Sequence, residues 1–100
     1  MTMSMADELL DELDAAAPLS ARGLSKLRWR CRRGLLENDL FIERFFNRHE
    51  SRLTVGQARA LYVLMDLSDN DLLDLLLQRN ELPQHLQQED VQEVLSMLRQ

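Results

Sequence analysis

The sequence predicts an all-α protein, a small five-helix bundle, and two observations support that fold class. The 100 residues include only three glycines, two prolines and five aromatic residues, so residues typical of turns and strands are scarce. Apolar residues recur every three or four positions through most of the chain, which is the period of an amphipathic helix. A chain of this length forms one domain with a small core, so a large active-site cleft is not expected.

An acidic extension precedes the predicted bundle. Residues 1–19 contain five acids and no base, namely Asp7, Glu8, Asp11, Glu12 and Asp14. The few leucines of this segment have nothing to pack against within its own length. We therefore predict a flexible or frayed N-terminal extension over residues 1–19 and the helical bundle over residues 20–100.

The first two helices are predicted to meet near Gly34. The first begins at Ser20 and ends near this glycine, and its inward stripe consists of Leu24, Leu27, Cys31 and Leu35. The second runs from Glu37 to about His49, with an apolar face made of Phe41, Ile42, Phe45, Phe46 and His49. Because glycine lacks a Cβ, it allows the first helix to end in a left-handed conformation.

Capping signals predict where the third and fourth helices begin. Thr54 followed by Gln57 is a capping box, and it opens the third helix. Ser68 precedes a fourth helix from Asp71 to Arg79, whose leucines cover most of its circumference and so predict a central position in the bundle. A fifth helix, from about Gln87 to Arg99, has an inward face made of Val91, Val94, Leu95 and Leu98.

Charge, cysteine content and hydropathy exclude several classes of protein. The formal net charge of −5 argues against a general nucleic-acid binder. The single cysteine, Cys31, excludes an intramolecular disulfide and a metal cluster held by cysteines. No stretch approaches the ~18 apolar residues that a membrane span needs, and no secretory leader is recognisable. We expect a cytoplasmic protein without membrane insertion.

No arrangement of residues predicts an enzyme or a metal site. Nucleophilic catalysis needs a serine, cysteine or lysine beside a base. His49 lies on the apolar face of the second helix and is interpreted as structural, and Cys31 is interpreted as a core residue rather than a reactive thiol. No zinc spacing, calcium loop or glycine-rich phosphate loop is present. A small helical bundle that binds a larger protein is therefore the leading function class.

The first helix is strongly basic in an otherwise acidic chain. The segment from Arg22 to Arg33 carries six bases and no acid. These bases are distributed around the helix rather than along one stripe, so nucleic-acid binding is the weaker interpretation. Trp29 and Arg33 lie opposite the inward stripe, where a cation beside an indole favours an interface. The alternative is that another helix covers Trp29.

The turn after this basic helix brings three kinds of side chain together. Arg33 and Gly34 precede it, and Glu37 lies in the first turn of the second helix, where a carboxylate favours the positive helix end. Leu40 follows Glu37 by three residues, on the face opposite the phenylalanines. A corner that is basic, acidic and apolar is typical of a protein-binding surface.

Several motifs together make the chain similar to a known family. The run LRWRCRRGLLEND occupies residues 27–39, and it is followed by Phe45-Phe46, Leu53-Thr54 and Asp69-Asn-Asp-Leu72. From about Gly23 to Arg79, this pattern resembles the succinate dehydrogenase FAD assembly factor family. The family's Arg-Gly-x-x-Glu motif and the acid after it fall on Arg33, Gly34, Glu37 and Asp39.

The resemblance implies a five-helix chaperone that is not itself an enzyme. Such a protein binds the flavoprotein subunit of succinate dehydrogenase, and often that of fumarate reductase, and promotes covalent attachment of FAD to a histidine of that partner. It would hold no cofactor stably, and a monomer is the simplest expectation. The expected partner contacts are Arg33, Gly34 and Glu37 from the motif, with Asp39, Trp29 and Leu40 added from helix geometry.

A second function class stays open. Some members of this family have also been described as antitoxins, so an antitoxin or an adaptor for a different protein is the alternative. The identity of the protein that this chain captures separates the two.

Overall fold

The computed structural model describes residues 13–32 and 35–100 and confirms the all-α prediction. These residues form five α-helices: α1 (Ala21–Arg30), α2 (Leu36–His49), α3 (Val55–Met65), α4 (Asp69–Leu76) and α5 (Glu89–Arg99). Short 3₁₀ turns cover Glu50–Arg52 and Gln84–Leu86. Extended pairing in this part of the chain is limited to one isolated antiparallel bridge between Pro18 and Thr54. No helix among the described residues has the length and apolar character needed to cross a membrane.

The central helix of the bundle is α3, not α4 as the leucine content predicted. Seven of the eleven α3 residues are buried, on more than one face: Val55, Gly56, Ala58, Ala60, Leu61, Leu64 and Met65. This helix packs most extensively against α5, whose predicted inward face of Val91, Val94, Leu95 and Leu98 is confirmed as buried. In α4, by contrast, only one side is buried, and Leu77 just after its last turn is 42% exposed.

The fourth helix also ends earlier than predicted, at Leu76 rather than Arg79. Gln78 adopts a positive φ of 61°, which takes the chain out of the helix. The amide of Gln78 then donates to the Leu75 carbonyl and the amide of Arg79 to the Asp74 carbonyl, at 3.1 and 2.8 Å. This pair of hydrogen bonds is a Schellman C-cap, formed here with a glutamine at the position where glycine is usual.

The caps predicted at Ser68 and at Thr54 with Gln57 are confirmed, and Ser20, where the first helix was predicted to begin, forms a third cap. The Ser20 hydroxyl accepts a hydrogen bond from the Gly23 amide at 3.0 Å, and the Ser68 hydroxyl accepts one from the Asp71 amide at 3.1 Å. Thr54 and Gln57 form the reciprocal capping box, with distances of 3.2 and 3.0 Å. Each cap satisfies an amide that has no partner within its own helix.

Residues 13–19, which the sequence assigns to a flexible extension, pack instead along the beginning of α3. The Leu19 amide donates to the Leu53 carbonyl at 2.9 Å, and the amides of Val55 and Gly56 donate to the carbonyls of Ala17 and Ala15 at 2.9 and 3.0 Å. The first amides of any helix lack partners within it, so this arm supplies the acceptors that α3 needs. Residues 1–12 of the predicted extension lie outside the described residues.

The C-cap of α4 gives a prediction about stability. A left-handed φ costs an ordinary residue ~1–2 kcal/mol, whereas glycine adopts it freely. We therefore expect Gln78→Gly to raise the free energy of unfolding by about 1 kcal/mol in chemical denaturation. Gln78→Ala, which keeps the Cβ, is the matched control and should give no such increase. An equal gain from both substitutions would contradict the explanation.

The arm gives a second prediction. A Cβ at Gly56 would lie 3.2 Å from both the Cβ and the carbonyl oxygen of Ala15. Gly56→Val should therefore push the arm away from α3 and accelerate hydrogen exchange at the Leu19 amide, with little change in helical circular dichroism. Gly56→Ala should have a smaller effect in the same direction. Unchanged exchange at Leu19 in the valine variant would show that the arm does not depend on this contact.

Candidate functional site

The candidate site lies where α1 gives way to α2. Arg33 and Gly34, the first two residues of the predicted motif, lie outside the described residues. The other four predicted contact residues are placed: Trp29 near the end of α1, and Glu37, Asp39 and Leu40 in the first turns of α2.

Trp29 and Asp39 line one groove, which we call the tryptophan groove. It lies between α1 and α2, has a volume of about 600 Å³, and is lined by Ser25, Arg28, Trp29, Cys31, Arg32, Asp39, Ile42, Glu43 and Phe46. Trp29 is 74% exposed, so no other helix among the described residues covers it, and the prediction that it is exposed is confirmed. The Arg32 guanidinium carbon lies 5.5 Å from the centre of the indole ring, so Arg32 forms a cation–π pair with Trp29.

Glu37 and Leu40 line a different groove, which we call the leucine groove. It lies between α2 and α4, has a volume of about 360 Å³, and is lined by Glu37, Leu40, Phe41, Glu43, Arg44, Asn47, Leu73 and Leu77. Leu40 is 53% exposed, as its position opposite the phenylalanines predicted. The Arg44 guanidinium carbon lies 5.1 Å from the centre of the Phe41 ring. An exposed apolar groove with charged groups at its rim suits protein binding.

Helix geometry explains why the predicted residues separate into two grooves. At 100° per residue, Glu37 and Leu40 lie on the same side of α2, whereas Asp39 points to the other side. The exposed ridge of α2 therefore stands between the two grooves, and Glu43, one turn after Asp39, borders both. The described residues of the corner therefore line two grooves, one on each side of this ridge, rather than one pocket.

Sequence reasoning missed the contribution of α4 to the leucine groove. Leu73 and Leu77 line this groove, whereas the dense leucines of α4 predicted a helix at the centre of the bundle. The informative signal was the four-residue spacing of these two leucines, which places them on one helix side apart from Leu72, Leu75 and Leu76.

Asn38 was also missed, and its side chain links the beginning of α2 to the beginning of α4. It is fully buried, and its side-chain amide donates a hydrogen bond to the Asp69 backbone carbonyl at the start of α4, at 2.9 Å. Its Oδ1 is buried without a hydrogen-bond partner among the described residues. A single asparagine between two acids gives no sequence signal for such a role.

The other candidate reactive groups have structural surroundings. The Cys31 thiol is buried, as its place on the inward stripe predicted. The His49 ring lies 5.4 Å from the Phe45 ring, and the two phenylalanines Phe45 and Phe46 meet edge to face at 5.4 Å. Within residues 13–32 and 35–100, no three histidine, cysteine, aspartate or glutamate side chains are grouped so that they could hold a metal ion.

Two basic residues of α1 form ion pairs with acids that directly follow other helices. Arg28 pairs with Glu50 at 2.7 Å and also lies over the Phe46 ring, 4.9 Å from its centre. Arg30 pairs with Asp66, just after α3, at 2.8 Å. Each exposed pair contributes at most about 1 kcal/mol, so their main effect is to fix where α1 lies.

Comparisons with known proteins identify the family to which this chain is similar. Residues 25–100 match the family described as flavinator of succinate dehydrogenase. The FAD assembly factor SdhE of Ralstonia nicotianae is 55% identical over 75 residues, which cover 75% of this chain and 79% of that protein. The proteins of the same name from Coxiella burnetii and Legionella pneumophila are 40% identical over 60 residues and 33% identical over 78 residues.

The extent of these matches is as informative as the identity. The alignment covers 60% of this chain and 70% of the Coxiella burnetii protein, and 78% of this chain and 92% of the Legionella pneumophila protein. No solved structure matches significantly. The family match includes α2 to α5, most of α1 and the whole corner between α1 and α2. The chain therefore belongs to the family of flavinators of succinate dehydrogenase.

Proposed function

We propose that this protein is an assembly chaperone for a flavoprotein, and that it promotes covalent attachment of FAD to the flavoprotein subunit of succinate dehydrogenase. The observation that carries the proposal is the family match over residues 25–100, which includes the Arg-Gly-x-x-Glu motif at Arg33, Gly34 and Glu37. The related proteins carry the name FAD assembly factor, which supports a role in FAD assembly.

The exposed side chains of the corner support a binding role for it. Trp29 and Leu40 are large apolar residues that folding leaves mostly in water. Residues of this kind gain free energy when a partner covers them, and tryptophan is among the residues that most often dominate binding. We assign the partner contacts to Arg33, Gly34, Glu37, Asp39, Trp29 and Leu40.

The proposed action is to hold the partner rather than to form the flavin bond. Among the described residues, the thiol of Cys31 is buried and His49 lies against Phe45. We place the bond-forming groups on the flavoprotein, and the chaperone stabilises the conformer in which its histidine and the flavin are correctly oriented. In this proposal the protein acts in the cytoplasm as a monomer, holds no cofactor stably, and also serves the fumarate reductase flavoprotein.

Glu37 provides the first test. In cells that lack this gene, covalent flavin fluorescence of the succinate dehydrogenase flavoprotein band in denaturing gels should fall, and the wild-type gene should restore it. Glu37→Ala should restore less than about a tenth of the signal, because it removes the exposed carboxylate of the motif. Glu93→Ala, at an exposed glutamate on α5, is the matched control and should restore the signal fully.

Two results would contradict this proposal at different levels. Unchanged covalent flavin in the deletion strain would show that the protein does not serve this flavoprotein, and the proteins captured by the intact chain would then identify the antitoxin or adaptor alternative. Full restoration of covalent flavin by Glu37→Ala would be consistent with the proposed function but would show that Glu37 is not part of the binding site.

Gly34 provides the second test. A residue without a Cβ allows a partner backbone to approach closely, so Gly34→Arg should abolish capture of the flavoprotein subunit. Circular dichroism should show an unchanged helical content, because this position lies between two helices. Retained capture together with normal flavin attachment would show that close approach at Gly34 is not required.

A further inference from the structure

Asn38 combines a position inside the candidate site with complete burial. Its two neighbours, Glu37 and Asp39, face the leucine groove and the tryptophan groove respectively. Its own side chain points inward, and Asn38 is the one polar residue in the buried class among the residues that the structure describes. Whatever fixes Asn38 therefore also fixes the directions in which Glu37 and Asp39 point.

The first turn of α2 has no side-chain cap to hold it. Leu35 occupies the N-cap position and makes no capping hydrogen bond, unlike the serine and threonine caps of α1, α3 and α4. The bond from the Asn38 side chain to the Asp69 carbonyl, 2.9 Å long, joins this uncapped turn to the beginning of α4. The beginning of α4 is itself fixed by the Ser68 cap.

We propose that Asn38 is a positioning residue for partner binding: its hydrogen bond to α4 sets the orientation of the first turn of α2, and thereby of Glu37 and Asp39. This inference rests on the proposed function, because it concerns the same corner. It assigns a role to a residue that has no exposed surface and so makes no direct contact with the partner.

The energetics of Asn38 separate this role from a purely structural one. Burial of the Asn38 amide is unfavourable because its oxygen has no hydrogen-bond partner among the described residues. When the Asn38 amide is removed, the Asp69 carbonyl keeps its place in the backbone hydrogen bonding of α4. Leucine has nearly the same shape and suits an apolar site. Replacing Asn38 by leucine should therefore leave stability nearly unchanged while it releases the orientation of the turn.

The test measures flavin attachment and stability on the same full-length proteins. The succinate dehydrogenase flavoprotein subunit is incubated with FAD and increasing amounts of the chaperone, and the half-saturating chaperone concentration is read from covalent flavin fluorescence. Asn38→Leu should raise this concentration about tenfold while Tm stays within a few degrees of the wild type. Asn38→Ala should raise it similarly, with a lower Tm because it leaves a cavity.

Two controls make the result decisive. Val94→Ala removes buried methyl groups from α5, away from the corner, so it should lower Tm without changing the half-saturating concentration. Glu37→Ala tests the proposed function in the same assay. If Glu37→Ala is impaired and a folded Asn38→Leu protein is not, the positioning role is wrong and the proposed function stands. If wild-type protein gives no stimulation at all, the proposed function itself is wrong.

Discussion

The burial of α3 is the constraint on which the rest of the structure depends. This helix contacts both α1 and α5, and its buried side chains include Leu61 and Leu64, each with no exposed surface. Full burial of a leucine contributes about 1.5–3 kcal/mol, so a few such residues supply a large part of the stability of a small domain. A helix buried to this extent must also satisfy its terminal amides within the protein, and the arm of residues 13–19 supplies those acceptors at its N-terminus.

The position of the candidate site follows from how α2 is attached to this core. One side of α2 buries Ile42, Phe45 and Phe46 and packs against α4 and α5. The opposite side carries the motif glutamate and the exposed Leu40. A binding surface on a helix that is packed along its length is held more rigidly than one on a loop, which lowers the entropy cost of binding. Only the beginning of α2, which lacks a cap, depends on the separate link through Asn38.

The features that could be predicted from the sequence are those with local signals. Ser68 and the Thr54–Gln57 pair cap their helices because each interaction spans three residues and needs no tertiary context. The same holds for the inward face of α5, which follows the helical period. The corner residues Glu37 and Leu40 were also assigned from spacing and from the family motif, and both lie in the first turns of α2.

The features that could not be predicted depend on contacts between distant residues. The arm is ordered by hydrogen bonds to residues about forty positions later in the chain, and such pairing leaves no trace in the composition of residues 13–19. The leucines of α4 suggested a central position, but this helix is buried on one side only. Leu73 and Leu77 therefore line the leucine groove. Asn38 is the same kind of case, since its partner Asp69 is 31 residues away.

The division of the corner into two flanks constrains the shape of any partner. Trp29 and Leu40 lie in grooves on opposite sides of the α2 ridge, so a flat partner surface could cover one of them but not both. A partner that covers both must be concave and receive the ridge between two raised elements. Such a partner would contact α2 on both sides, so the orientation of the first turn of α2 would directly affect how the partner fits. A partner that contacts only one groove would be far less sensitive to that orientation. It could turn with the first turn of α2, whereas a partner that contacts both grooves could not.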